Sequence, residues 1–320
     1  MLTVEQIFAL GLKMGIKTDP RGEKGVADYL ASIKKDYENM KPDEKKYFNK
    51  DLLNNPYPDS HIHSLSGKNT VKRVMAGIDI DTSEILVASQ LGERGQTIDL
   101  IIAHHPIGIG LSSLHVVMDM QVDMFIKAGV PVHIAEKIME ERIKEVGRGL
   151  HPVNYTRVVD VAKLLKVNLM NTHTITDNLV TDFLNKFLAK RQPKLVGDLL
   201  EALLEIPEYQ EAKRGGSGPS LFTGNPKHRV GKYLVEMTGG TSPSDKIYKE
   251  LSQFGISTII GMHMRDTHRD KAGENHMNVL IAGHMASDSL GMNLFLDELE
   301  KKGIQVVPCS GLTRVSRVKK

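Results

Sequence analysis

Ile7, Leu10, Leu12 and Ile16 form an apolar stripe near the start of the chain, with charged and polar positions between them. That spacing predicts an amphipathic helix, and Thr3 with Gln6 supplies a capping-box start. A second helix is predicted through Val26-Ala-Asp-Tyr-Leu. Pro42-Asp-Glu opens a third, with proline in the first turn and acidic residues at the positive end of the helix dipole. Asn54-Asn-Pro-Tyr-Pro-Asp-Ser has loop chemistry and closes this charged helical extension, taken as residues 1–66. From Val71 the period changes. The short apolar runs VKRVMAGIDI, IDLIIA, VPVHIA and VNLMNT alternate with helical segments, and helices follow near 179–190 and 195–205. Arg214-Gly-Gly-Ser-Gly-Pro has linker composition. Beyond it come VGKYLVEM, a helix from Ser244, ISTIIG, NVLIAG, another helix and IQVVPC. Strands alternating with helices predict an α/β fold with mainly parallel or mixed sheets and βαβ crossovers. The predicted organisation is two α/β halves, 67–213 and 227–320, joined by a Gly-rich linker at 214–226 and preceded by the helical extension.

Composition narrows the class. The 320 residues, 40% hydrophobic and 25% charged, are those of a soluble globular protein. No apolar stretch reaches the ~18 residues of a membrane span. MLTVEQIFALGLKMG carries neither a basic leader nor a small-residue cleavage site, so no secretory signal is expected. The single cysteine, Cys309, leaves no intrachain disulfide and no zinc ribbon, and a cytoplasmic setting is the default. A net charge of +3, no tryptophan and 5% aromatics supply neither a basic face nor stacking platforms, so nucleic acid is not an expected partner. The basic tail from Arg314 through Arg317 to Lys319 and Lys320 reads as a frayed, solvated terminus.

The chemistry gathers where strands end. IDLIIA runs into His104-His105-Pro106, VNLMNT into His173 and NVLIAG into His284. Ligands of open α/β sheets collect beyond the carboxyl ends of the strands. His173-Thr-Ile-Thr-Asp177 and His284-Met-Ala-Ser-Asp288 each place a carboxylate four residues after a histidine, on one face if the segment is helical. Imidazole with carboxylate suits zinc, iron, manganese or cobalt. Adjacent histidines past a strand end can face two ions, one each, in a dinuclear site. His104, His105, Asp177, His284 and Asp288 are therefore the candidate ligands of two divalent cations.

IDLIIAHHP, NTHTITDNLV and NVLIAGHMASDSLGMN, in this order, resemble the Ngg-one interacting factor three family, also labelled GTP cyclohydrolase type-two-like. The likeness covers roughly residues 70–318. It implies a homohexameric ring with a di-metal site inside. The family's histidine pair matches His104 and His105, its aspartate after a T-x-x-D stretch matches Asp177, and its final H-x-x-x-E matches His284 and position 288. Two departures stand out. Position 288 is Asp rather than Glu. The family's Gly-Glu-x-x-x-His run is here Gly261-Met-His263-Met-Arg-Asp-Thr-His268, which leaves His263 and His268 as the candidate proton shuttles.

Other polar positions carry weaker signals. His133 with Glu136, after VPVHIA, reads as structural, and His61-Ile-His63 as a connector loop. Asp79-Ile-Asp81 reads either as a strand exit or as a group orienting a histidine. Cys309 reads as a small buried residue, and Met118, Met120 and Met124 as packing. Thr238-Gly-Gly-Thr-Ser-Pro243, between a strand and a helix, could receive phosphate. Three functions fit: a metal-dependent hydrolase acting on an unidentified small molecule (nucleotide or phosphorylated), a metal-handling protein without turnover, and a ring-shaped scaffold. The hydrolase is the leading expectation, because five ligands leave two ions with open positions for water or substrate.

Overall fold

The computed structural model describes residues 1–67 and 69–319; Lys320, last of the basic tail, lies outside the described residues. The strands are β1 (Leu2–Thr3), β2 (Ile62–Ser64), β3 (Thr70–Val71), β4 (Arg73–Gly77), β5 (Leu100–Ala103), β6 (Leu169–Asn171), β7 (Ser220–Thr223), β8 (Lys232–Glu236), β9 (Ile256–Gly261), β10 (Asn278–Ile281) and β11 (Gln305–Cys309). One sheet has the order β11-β4-β5-β6-β2 and the other β7-β10-β9-β8. Both are parallel apart from an antiparallel edge strand, β2 in the first and β7 in the second. β1 pairs with β3 in a small antiparallel ribbon. The chain is thus α/β with mixed sheets.

Runs without polar alternation are what two-sided burial of parallel strands requires. Along β4 and β5, Val74, Ala76, Leu100 and Ile102 pack on Val4, Ile7, Phe295 and Leu296. Their neighbours Met75, Ile101 and Ala103 pack on the opposite face with Ile85, Ala88 and Val158. The second sheet divides in the same way. Val235, Ile260 and Leu280 meet Leu184, Tyr209 and Leu290, and Ile259 and Val279 meet Met118, Phe125 and Tyr248. Met118, Met120 and Met124 are buried, as packing residues.

The helices His173–Arg191 and His284–Glu300 pack against one another. The first follows β6 of one sheet and the second follows β10 of the other. Gly291 lets them approach, since a Cβ there would lie 2.3 Å from the Thr176 carbonyl oxygen.

Several elements differ from expectation. VPVHIA is no strand: Pro131 caps the helix Val132–Leu150, whose Ala135 and Met139, four apart, face the core. His133 and Glu136 are exposed on it. His63 lies within edge strand β2 and His61 immediately precedes it, because His63 Nε2 donates to Asn171 Oδ1 (2.8 Å) and the His61 amide donates to the same oxygen (3.1 Å). The 214–226 stretch contains β7, held by pairing with β10. β11 returns from the end of the chain to pair with β4, so the halves interleave. The tail from Arg314 to Arg317 is not frayed. Arg314 meets Asp297 at 2.6 Å, and Arg317 makes two 2.7 Å hydrogen bonds to the buried Glu208, because buried carboxylates require a partner charge. Among the described residues, no helix is long and apolar enough to cross a membrane.

Candidate metal centre

β4, β5 and β6 run parallel, and their carboxyl ends open toward the ends of β8, β9 and β10. The backbone past β5 stays pinned to its neighbour: the amides of His104 and His105 donate to the carbonyls of Gly77 (2.9 Å) and Ile78 (3.0 Å). His173 and Asp177 occupy the first turns of the helix His173–Arg191, and His284 and Asp288 those of the helix His284–Glu300. Gly283 makes the turn from β10 into that helix at φ +113°, a conformation that favours glycine.

The predicted ligand residues converge. Asp288 lies at the centre: Oδ1 is 3.4 Å from His104 Nε2, and Oδ2 is 3.4 Å from both His105 Nε2 and His284 Nε2. Asp177 Oδ1 is 3.5 Å from His104 Nε2, and Asp177 Oδ2 is 3.7 Å from His173 Nε2. The imidazole centroids of His104 lie 5.1 Å from those of both His105 and His173. Overlapping sets of possible ligands result: His104 with Asp177 and Asp288, His105 with His284 and Asp288, and His104 with His105 and His173. The first two share Asp288. Its shorter side chain reaches both because His284–Glu300 enters the site at its first turn.

Hydrogen bonds fix which nitrogen faces inward. His105 Nδ1 donates to Asp79 Oδ1 (2.7 Å), and His173 Nδ1 donates to Asp59 Oδ2 (2.8 Å), which also accepts from the Thr174 hydroxyl (2.6 Å). The Thr176 hydroxyl donates to the Thr172 carbonyl (2.6 Å), so it accepts from His104 Nδ1 (2.9 Å). Each Nδ1 is thus occupied by its proton, and each Nε2 turns a lone pair to the centre. Asp79 therefore orients a histidine, and its neighbour Asp81 caps the helix Thr82–Glu93.

The centre contains acceptors without donors. His104 Nε2, Asp177 Oδ1 and both Asp288 oxygens are buried with no hydrogen-bond partner. Burial, and then the nearby charge of Asp288, push the Asp177 carboxyl well above its usual range. Burial holds His104 at about 4, which leaves its imidazole neutral at physiological pH. Ligand atoms ~2.1 Å from an ion with tetrahedral geometry lie ~3.4 Å apart. The observed 3.4–3.7 Å separations are too long for good hydrogen bonds and suit a cation between the groups. These residues fit a divalent metal.

A cavity of about 60 Å³ adjoins the cluster, lined by His173, Asp177, His284 and Asp288 together with Glu236, Met262 and His263. The Thr238–Ser242 turn forms its rim, held by Gln121, which donates to the carbonyls of Gly239 (2.7 Å) and Thr241 (2.6 Å). His263 lies with its ring centroid 4.6 Å from that of His284; burial and that neighbour lower it to about 4. His268 is placed elsewhere: its Nε2 donates to the Pro243 carbonyl (3.0 Å), its ring meets Tyr248 edge-on, and it does not line the cavity.

Three groups at the site, His173, Glu236 and Asp59, lie outside the predicted ligand and proton-shuttle residues. His173 was visible as half of an echoing His-x-x-x-Asp pair. Glu236 was visible as a carboxylate at a strand end before the Thr-Gly-Gly turn. Asp59 gave no local signal, since it lies 114 residues from the histidine it holds. It belongs to the N-terminal extension, which reaches the site a second time. Arg21 binds Asp19, Asp19 accepts from the Tyr57 hydroxyl (2.9 Å), Asn178 donates to Tyr57 (3.1 Å), and the Thr238 hydroxyl donates to Asn178 (2.6 Å).

No family model and no curated protein matches the chain. Solved structures do. A NIF3 superfamily protein from Sphaerobacter thermophilus is similar over 97% of this chain and 99% of its own, with TM-score 0.74 and 23% identity. Reduced HcgD from Methanocaldococcus jannaschii aligns over 84% of this chain and 97% of its own, with TM-score 0.48 and 16% identity. A Bacillus cereus protein related to NIF3 aligns over 92% and 98%, with TM-score 0.43 and 11% identity.

Proposed function

The chain has the fold of the NIF3 superfamily, and on that premise we propose that it is a metal-dependent hydrolase that holds two divalent cations. The observation that carries this reading is that His104 Nε2, Asp177 Oδ1 and both Asp288 oxygens are buried together with no hydrogen-bond partner, beside His105 and His284. His104, Asp177 and Asp288 would hold one ion, His105, His284 and Asp288 the other, with His173 beside them. Zinc, iron, manganese and cobalt match the donors. Bound cations supply Lewis acidity and lower the pKa of a shared water toward neutrality.

The chain's own groups do the rest. Asp79, Asp59 and Thr176 keep the imidazoles in the binding tautomer. Burial of Asp177 and Asp288 excludes competing water from the charged centre. His263, neutral and on the cavity wall, is available to accept a proton. The Thr241 and Ser242 rim presents hydroxyl groups, which suits a phosphorylated small molecule. The competing reading, metal handling without turnover, is favoured by the 37% exposure of the His284 side chain, a route for ion exchange.

Protein purified without added metal is expected to carry two equivalents per chain by elemental analysis. A screen of esters and phosphates with manganese, zinc and cobalt should find hydrolysis that His104→Ala abolishes while the variant stays folded. Absence of bound metal would remove the site. Two bound ions with no hydrolysis of any substrate class would leave metal handling as the better account.

A further inference from the structure

Glu236 is a carboxylic acid without a structural reason to be one. It ends β8, where its register partner is Gly261 at the end of β9, so the two strand ends deliver Glu236, Met262 and His263 to one wall of the cavity. Its Oε2 is buried and has no hydrogen-bond partner. Among the described residues no cation pairs with it, and burial pushes the carboxyl up to about 8, which favours the protonated form at neutral pH in the metal-free protein. An unpaired acid oxygen in that state weakens a fold, although the residue as a whole is only half-buried. The same cavity is lined by His173, Asp177 and Asp288.

We propose that Glu236 is the general acid of the cavity, protonating the leaving oxygen of a phosphoester. The role rests on the hydrolase reading above. As water oxygen bonds to phosphorus, the phosphorus–oxygen bond to the leaving group breaks, its electron pair goes to that oxygen, and the Glu236 proton follows it. The product alcohol leaves with that proton. The phosphate keeps one hydrogen of the water, and the other returns to Glu236 through solvent, which restores the acid.

A leaving group of low pKa departs without help and one of high pKa does not, so the test compares p-nitrophenyl phosphate with an n-alkyl phosphate on metal-loaded, full-length protein. E236Q is expected to lose ~10²–10³-fold on the alkyl ester and less than about tenfold on the nitrophenyl ester. Its metal content should match wild type. Wild type at neutral pH should show the infrared carbonyl band of a protonated carboxyl group that E236Q lacks. Equal losses on both esters, no loss on either, or absence of that band would overturn the role while leaving the hydrolase reading intact. Wild type inactive on both esters, with metal bound, would overturn the phosphoesterase reading and this role with it. If E236Q fails to fold, Glu236→Met carries the same comparison.

Discussion

Asp59 shows how much one residue outside the cluster determines within it. Its buried carboxylate holds the His173 ring and the Thr174 hydroxyl together. Outer partners of ligating histidines tune affinity, so Asp59→Asn should weaken metal binding ~10–100-fold by competition titration with a chelator. An unchanged affinity would mean that His173 is not a ligand or needs no such support. Glu236 gives a second expectation, in the metal-free protein. Its folded pKa of about 8 exceeds the ordinary 4.5, so between these values the folded state keeps a proton that the unfolded state releases. The stability this contributes is fully present below about pH 4 and is lost as pH rises to 8, on the order of a few kcal/mol. Thermal denaturation should therefore show E236Q gaining on wild type from pH 5 to 8; parallel curves would show that the carboxyl is not held protonated. At this scale the sequence was informative where chemistry and spacing coincide, as in His104-His105 and His284-x-x-x-Asp288. Asp59 and Glu236 act through partners distant in sequence, and no local pattern encodes such contacts.

Among the elements, the paired helices His173–Arg191 and His284–Glu300 set the distance between Asp177 and Asp288. Their separation is limited at Gly291, against a backbone oxygen that cannot rotate away. Gly291→Ala should cost about 2 kcal/mol or more and lower metal affinity along with melting temperature. This follows because the residue it displaces, Thr176, also positions His104. Loss of stability with full metal affinity would uncouple the helix contact from the site. The strands were legible because parallel strands buried on both faces are uniformly apolar, as in IDLIIA and NVLIAG. β2 and β7 were not: each is a polar edge strand whose only reason to be extended is a partner more than 50 residues away. VPVHIA misled because its first apolar residues resemble a strand, whereas the helix becomes evident only over the next turns.

For the whole molecule, the resemblance to a ring-forming family leads to an expectation of a hexamer in solution, to be checked by light scattering. A monomer at every concentration would remove the ring, although not the candidate metal site, whose histidines and aspartates come together within this chain. The tail's ion pairs with Asp297 and Glu208 and the extension's hydrogen bonds through Tyr57 tie both ends of the sequence to the middle. The return of β11 to β4, more than 200 residues back, has its own consequence during synthesis. The second sheet, complete once β10 is made, can close while the chain is still being translated. The first must wait with β4 uncovered on one edge until β11 emerges. A ribosome paused before residue 305 thus holds a protein with its histidine pair made and β4 still open on the edge that β11 covers.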